Sequence, residues 1–481
     1  MTEAEGPRGE AISATRSKEE KQASRAGEGC GRDILPATGA LALFTDLYEL
    51  RMMQAYFAEG MADTAVFTLF VRSLPAERNY LLACGLASVL DYLECLRFTA
   101  EDLDFLREID GFSEEFLSYL KGFRFTGDVD AVPEGTPVFA NEPILEVVAP
   151  IAEAQLIETL VMNQLHHQTV VASKASRIVE AARGRPVVDF GARRMHGIDA
   201  ALKAVRACAV AGVAATSNVL GARHYGLAAS GTMAHSYIQA HADELGAFRG
   251  FMRLYPETVL LVDTYDTLRG VARVIELAGE MGPDFKVSAV RLDSGDLAEL
   301  ARRARTMLDE AGLHKVQIFA SGGLDEYAVA ELLAAGAPID GFGVGTRLGV
   351  SSDRPDLDIV YKLAEYAGKG RIKLSTGKPI LPGRKQIFRR EEDGRAVEDV
   401  IALARESHPG RPLLQPVMRK GRRVGAGHDD LQNARARAAK ELARLPASLR
   451  GVDKAEDPYR VTASEELRRA QADIRQGLLA E

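Results

Sequence analysis

Residues 287–346 read VSAVRLDSGD, LAELARRARTMLDEAGLHK, VQIFASGGLD, EYAVAELLAAGAPID and GFGVGT. Short β-type runs, Val287–Val290, Val316–Phe319 and Ile339–Phe342, alternate with helical patterns over Leu297–Ala311 and Glu326–Ala335. Each run leads into a loop of small, hydroxyl and acidic residues: Val290–Asp296, Ala320–Asp325 and Gly341–Thr346. A strand, a polar turn and a helix repeated every 25 to 30 residues, roughly, is the signature of parallel βα units.

Upstream the pattern continues through Val187–Phe190, Val213–Thr216, Leu227–Ser230 and Thr258–Val262, with a helical stretch over Leu268–Leu277. This many units closing on themselves point to a (β/α) barrel, with an open doubly wound sheet as the alternative. Barrels place their chemistry on the loops after the strands and often bind phosphate after the last two. Here those loops carry Ser321-Gly322-Gly323 and Gly343-Val344-Gly345-Thr346, whose backbone N–H groups can approach an oxyanion closely.

The α/β reading extends to a smaller domain ahead of the barrel. Residues 1–38 hold almost no bulky apolar side chains and are expected to be a disordered tail. A helical pattern over Leu41–Tyr56 and a strand over Ala65–Val71 open an N-terminal α/β domain, 39–150. Further helices run to Leu120, and short strands lie within Gly127–Val148. A long helix, Ala152–Ala182, begins the barrel segment, 151–389. The C-terminal segment, 390–481, shows two helices, Asp429–Leu445 and Ser464–Leu479, the second with a Thr462/Glu465 capping box and both with solvated charged faces.

Composition sets limits. At 481 residues, 46% hydrophobic, the chain is long enough for a large core, and its net charge of −8 without a basic, aromatic-laced stripe speaks against nucleic-acid binding. No apolar run reaches membrane-span length and no signal-peptide core is present. Cys30, Cys84, Cys95 and Cys208 lack CxxC spacing, which suggests neither a disulfide framework nor a zinc site and fits a reducing cytoplasm. Neither GxxxxGK[ST] nor a helix-opening GxGxxG occurs.

The segment Gly231-Thr232-Met233-Ala234-His235-Ser236 presents a histidine among small and hydroxyl residues just after a strand-like run. Arg193 and Arg194, Arg291, and Arg384 with Lys385 supply cationic groups that suit a substrate carrying phosphates and a carboxylate. Asp263, Asp266, Asp293 and Asp296 can orient sugar hydroxyls or hold Mg²⁺ through water, although helix capping accounts for Asp296.

Together these segments resemble nicotinate phosphoribosyltransferases, within the type II phosphoribosyltransferase kind of fold, from about Leu43 to Arg389. The resemblance rests on Phe44–Leu50, Asp189-Phe-Gly-Ala-Arg-Arg194, Ala215–Val219, Gly231–Ser236, Val262–Thr267, Val290–Leu297, Gly341–Thr346, and Arg371–Leu374 with Pro382–Gln386. It implies transfer of phosphoribosyl from phosphoribosyl pyrophosphate to nicotinate in NAD salvage, with ATP as a co-substrate that phosphorylates His235 and with Mg²⁺ on the diphosphate. It implies that Tyr48, Thr232 and Arg291 line the nicotinate site, Tyr48 being lent by the second subunit of a homodimer. Thr346 and the two glycine loops, Ser321, Gly322, Gly323 and Gly343, Gly345, would hold the phosphoribosyl phosphate, with Arg193 and Asp293 at the same mouth. Ser217 stands where the related nicotinamide enzyme carries an Asp, and a serine lacks the charge that would repel nicotinate.

The chain departs from the family pattern at Ser321–Gly323, in a short Arg72–Tyr80 loop, and at Met195-His196. Readings left open are a nicotinamide or quinolinate phosphoribosyltransferase and a non-catalytic barrel that binds phosphometabolites. An aldolase or isomerase would need a Schiff-base lysine or an acid/base pair at a strand end, and none stands out.

Overall fold

The computed structural model describes residues 41–109, 111–374 and 380–480, so the N-terminal tail reading lies outside the described residues. Seven strand-like segments occur where the βα pattern places them. Six form a parallel sheet in the order Ala215–Thr216, Val187–Asp189, Gly341–Val344, Gln317–Ala320, Ala289–Leu292, Val259–Leu261. The seventh touches the first edge through a parallel bridge between Thr216 and Ala229. The sheet curls as a half-barrel; among the described residues no ladder joins Ala229 to Val259–Leu261.

The cause of the curl is an apolar layer inside and amphipathic helices outside. Leu260, Val290, Leu292, Ile318, Phe342 and Val344 are all fully buried. The helix Leu297–Glu310 faces them with Ala301, Ala304 and Leu308, a helical stripe, and starts on Asp296, whose side chain accepts the N–H groups of Ala298 and Glu299 at 3.1 and 3.0 Å. Asp296 is therefore the cap that its position suggests. Asp266 likewise caps Thr267–Met281 through the Arg269 N–H at 2.8 Å. The long helix is observed as Ile151–Leu156 and Glu158–Ala181.

The N-terminal region builds a seven-stranded sheet around Thr64–Val71, which pairs antiparallel with Leu145–Pro150 on one side and Ile359–Tyr366 on the other. Gln415–Arg419 extends it by pairing with Asp128–Ala131. The sequence division had put Ile359–Tyr366 in the barrel and Gln415–Arg419 in a separate C-terminal segment. Both instead complete the N-terminal sheet, because antiparallel partners can be recruited from any chain distance once their apolar faces match.

A third sheet holds Lys385–Glu392, Arg395–Leu403, Arg411–Pro412 and Arg460–Ala463. The two expected C-terminal helices are Leu431–Arg444 and Glu465–Ala480. The second is capped by Ser464, which accepts the Leu467 N–H at 3.0 Å, and not by Thr462, whose backbone is engaged in a parallel ladder opposite Val400. Its charged face is solvated, with Leu467 its sole buried residue; Leu431–Arg444 instead packs Ala434 and Ala438 inward and uses Arg437 and Arg444 in ion pairs with Asp429 and Glu391. Cys84 and Cys208 are buried free thiols, whereas Cys95 is disulfide-bonded, which the scattered spacing did not suggest. Among the described residues no helix is long and apolar enough to cross a membrane.

Candidate active site

The C-terminal ends of the parallel strands converge on one polar mouth. Asp189, at the end of Val187–Asp189, is fully buried and ties two neighbours together: one carboxylate oxygen accepts the Gly191 N–H and the other the Thr216 hydroxyl, each at 2.8 Å. Burial raises its pKa above the usual carboxylate value, and those two donors pull it back. Ser217 follows Thr216 and is exposed at this end, its N–H bonded to the Asp189 carbonyl at 2.8 Å.

Arg291, near the end of Ala289–Leu292, sends its guanidinium across to the Gly231–Ser236 segment. It donates to the Thr232 hydroxyl at 2.7 Å and to the Met233 carbonyl at 3.4 Å, and its centre lies 5.9 Å from the Phe190 ring. Its Nε is buried without a hydrogen-bond partner. A buried guanidinium donor left open is costly unless a ligand or water completes it. Burial lowers the Arg291 pKa, while Asp293 and Asp263 act in the opposite sense.

His235 opens a short helix, His235–Gln239, with its imidazole at the same mouth. Its Nδ1 lies 3.1 Å from the Thr264 hydroxyl and its Nε2 lies 3.9 Å from Asp293. The imidazole is 41% exposed. Asp293 also accepts the Ser321 hydroxyl, and Asp263 accepts the Asp293 N–H at 3.0 Å and the Ser294 hydroxyl at 2.6 Å. The remaining Asp263 oxygen, Oδ1, is buried and unpartnered.

The two glycine loops lie side by side because their strands pair directly, Phe319 opposite Gly341 and Ala320 opposite Phe342. Gly322 has φ +89°, and a Cβ there would stand 1.8 Å from the Asp293 carbonyl oxygen, so no other residue fits. A Cβ on Gly343 would stand 2.4 Å from the Phe190 ring, which holds that ring against the sheet. Gly345 leads into Thr346, whose hydroxyl receives the Arg194 guanidinium at 3.3 Å. Gly323 is exposed beside Ser321, which is buried.

The structure thus brings together Thr232, His235, Arg291, Asp293, Ser321, Gly322, Gly323, Gly343, Gly345 and Thr346, with Ser217 on the neighbouring loop. Arg193 is exposed on a short 3₁₀ turn, Ala192–Arg194, near enough to Arg291 to depress its pKa. Among the described residues Tyr48 makes no contact that joins it to this mouth. It sits half exposed on Leu47–Ala58, where burial and the neighbouring Glu49 raise its pKa. Arg384 and Lys385 are a correction: Arg384 pairs with Asp130, and Lys385 is buried with Glu146 at 3.1 Å, so both brace the N-terminal sheet.

Models of the nicotinate phosphoribosyltransferase N-terminal domain and of the nicotinate phosphoribosyltransferase family match residues 43–166 and 186–400. The chain belongs to the nicotinate phosphoribosyltransferase family. It is 56% identical to a nicotinate phosphoribosyltransferase of Mycobacterium tuberculosis over 89% of this chain and 92% of that protein. A nicotinate phosphoribosyltransferase of Bacillus subtilis is 42% identical over 76% of each chain. The crystal structure of human nicotinic acid phosphoribosyltransferase superposes with a TM-score of 0.79 at 26% identity, covering 89% of this chain and 99% of that one.

Two residues of this family member's mouth escaped the reading of the sequence. Phe190 forms an aromatic wall beside Arg291, and Thr264 orients His235. Phe190 has a visible signal, an aromatic residue directly after the strand that supplies Asp189. Thr264 lies within the polar loop Val262–Thr267 but has no feature that separates it from Thr267.

Proposed function

We propose that this chain transfers the phosphoribosyl group of phosphoribosyl pyrophosphate to nicotinate, with ATP hydrolysis coupled through His235. The observation that carries the reading is the buried Arg291 with an open donor, set between the Phe190 ring and Thr232, beside two glycine loops on adjacent strand ends. A planar pyridine carboxylate fits that combination: the ring against Phe190, the carboxylate toward Arg291.

In the reaction the pyridine nitrogen forms a bond to ribose C1 as the bond from C1 to the diphosphate oxygen breaks, giving nicotinate mononucleotide and pyrophosphate. Positive charge develops on the ribosyl centre and negative charge on the leaving diphosphate, so positioning and electrostatics do most of the work. Backbone N–H groups around Gly322, Gly323, Gly345 and Thr346 cradle the 5′-phosphate, with Arg194 at its rim. Ser217 leaves room for the nicotinate carboxylate without repelling it.

Among the described residues no cluster of three or more His, Cys, Asp or Glu forms a metal cage. Mg²⁺ takes one or two protein carboxylates and otherwise substrate oxygens and water. Asp293 and the open Oδ1 of Asp263 are the residues that would hold it, and the ion would neutralise charge on the departing diphosphate.

His235 takes the γ-phosphoryl group of ATP on Nε2, releasing ADP, since Thr264 occupies Nδ1. Hydrolysis of that phosphohistidine returns the imidazole and phosphate. The added charge lies next to Asp293 and so changes how diphosphate is held. Tyr48 completes the site from a second subunit, and the enzyme works in the cytoplasm.

Pyrophosphate release from phosphoribosyl pyrophosphate and Mg²⁺ tests the reading, with nicotinate, nicotinamide or quinolinate as the base and with or without ATP. Release with nicotinate alone among the three, raised by ATP in the wild type and indifferent to ATP in His235→Ala, is the expected result. Release with another base, or unchanged ATP stimulation in His235→Ala, overturns the substrate or the coupling respectively.

A further inference from the structure

A buried ionic network, made of none of the residues assigned to the mouth, draws its carboxylates from just after the two glycine loops in sequence. Glu326, the first residue of the helix Glu326–Ala334, is completely buried. It meets Lys174 at 2.5 Å, Arg177 at 2.9 Å and Arg78 at 3.9 Å. Asp353, in the turn after the Thr346–Gly349 helix, meets Arg78 at 2.7 Å and Lys174 at 2.9 Å. Lys174 and Arg177 come from the long helix Glu158–Ala181 and Arg78 from the short loop before Tyr80.

Each carboxylate stands just downstream of one loop. Glu326 follows Ser321-Gly322-Gly323 by three residues and Asp353 follows Gly345-Thr346 by seven. The Lys174 ammonium, itself 1% exposed, touches both at 2.5 and 2.9 Å and so links the segment after one loop to the segment after the other; Arg78 also reaches both, but meets Glu326 only at 3.9 Å. A second tie lies nearer the mouth, where Asp325, the cap of the Glu326–Ala334 helix, pairs with Arg347, the residue after Thr346.

The charges do not cancel. Arg78, Lys174 and Arg177, all buried, stand against Glu326 and Asp353, three cations to two carboxylates, while the half-exposed Arg347 is matched by Asp325. Burial works against ionising Asp353, but the hydrogen bonds and charges of Arg78 and Lys174 hold it well below the usual carboxylate range. Arg177 spends its remaining donors on the Val452 carbonyl at 2.7 Å and the Tyr327 hydroxyl at 3.1 Å. One uncompensated positive charge in a low-dielectric interior favours an anion on the adjoining loops.

We propose that Lys174 is a positioning residue that fixes the spacing of the two glycine loops and lends positive potential to the phosphate they hold. The inference rests on the reading of those loops as the 5′-phosphate site. Lys174 reaches no substrate; it acts through Glu326 and Asp353.

Steady-state kinetics of Lys174→Met, Lys174→Arg and Asp353→Asn in the full chain test this, with Tm measured for each. Lys174→Met is expected to raise KM for phosphoribosyl pyrophosphate by about tenfold while KM for nicotinate stays within about twofold, because an ångström of loop misplacement weakens only the phosphate contacts. Lys174→Arg, which keeps the charge, should recover most of that loss. If Lys174→Met does not fold, Asp353→Asn removes the link to the second loop alone and should show the same selective rise, about threefold. A lowered Tm with both KM values unchanged overturns the proposal, since a merely structural link would give that. A wild-type enzyme without nicotinate-dependent turnover overturns the substrate reading instead.

Discussion

The mouth of the parallel sheet and the interior of the antiparallel half each bury an arginine, and they surround it differently. At the mouth, Arg291 Nε and Asp263 Oδ1 are buried without partners and the His235 imidazole is 41% exposed. In the other half, Arg389 meets Asp399 at 2.6 Å, donates to the Pro137 carbonyl at 2.9 Å and lies over the Phe139 and Tyr459 rings, while Tyr459 donates to Asp399 at 2.8 Å; the Arg389 Nη1, like Arg291 Nε, has no hydrogen-bond partner and lies 3.9 Å from Glu441. An open donor is found on both arginines, so the difference lies in the opposing charge: Arg389 holds the buried Asp399 carboxylate, whereas Arg291 holds a hydroxyl and a carbonyl beside a ring. Arg389 and Arg291 are both arginines on strands, and only their surroundings tell them apart.

The largest expected effect breaks the ion-paired side. Arg389→Met leaves the Asp399 carboxylate buried without its cation and should cost about 3–5 kcal/mol of stability, read by denaturant unfolding, with KM values unmoved in the enzyme that remains folded. Altered KM at intact stability would put Arg389 in the site and dissolve the contrast.

Arg291→Ala is the counterpart. It should lower kcat/KM for nicotinate by about 10²–10³-fold with little change in unfolding midpoint, because its strongest role is toward a ligand. A variant as active as wild type but less stable would move Arg291 to the structural class.

A smaller effect sharpens the comparison at Glu49, buried on the Leu47–Ala58 helix against Gln155. Burial raises its pKa from 4.5 to about 7, against hydrogen bonds that include Gln155 at 2.5 Å. The folded state therefore holds a proton that the unfolded chain releases above 4.5. Its favourable contribution is full below 4.5 and is lost as pH rises to about 7. Glu49→Gln should be more stable than wild type at pH 8, by on the order of 1 kcal/mol, and no more stable at pH 4. A difference independent of pH would contradict the assignment.

The parallel half was legible because each βα unit announces itself locally. Three of the strands, Ala289–Leu292, Gln317–Ala320 and Gly341–Val344, end one or two residues further along than the apolar runs, Arg291 and Leu292 continuing the ladder opposite Phe319 and Ala320, whereas Val187–Asp189 and Val259–Leu261 end one residue earlier. Polar residues at a strand's C-terminal end keep their backbone pairing while their side chains turn to the mouth. The antiparallel half was less legible, because nothing local in Ile359–Tyr366 says that it pairs with Thr64–Val71 nearly three hundred residues earlier. For the same reason Lys385 looked like a substrate cation until Glu146 appeared beside it.

The buried network of Lys174 and Arg177 went unread because both sit in a helix whose spacing reads as core. Two cations three residues apart within Val170-Val-Ala-Ser-Lys-Ala-Ser-Arg-Ile178, a stretch of small and apolar residues, were the available sign. Phe190 and Thr264, by contrast, follow from the strand ends once the sheet order is known.

Amide hydrogen exchange of the wild-type protein, with and without phosphoribosyl pyrophosphate, Mg²⁺ and nicotinate, tests most directly whether the mouth is where substrate binds. The account predicts slowed exchange in Gly231–Ser236, Ser321–Leu324 and Gly343–Thr346, with the Lys385–Glu392 and Arg395–Leu403 strands unchanged. Protection instead around the 260 Å³ cavity lined by Thr68, Lys385 and Thr462, with none at the parallel strand ends, would contradict it.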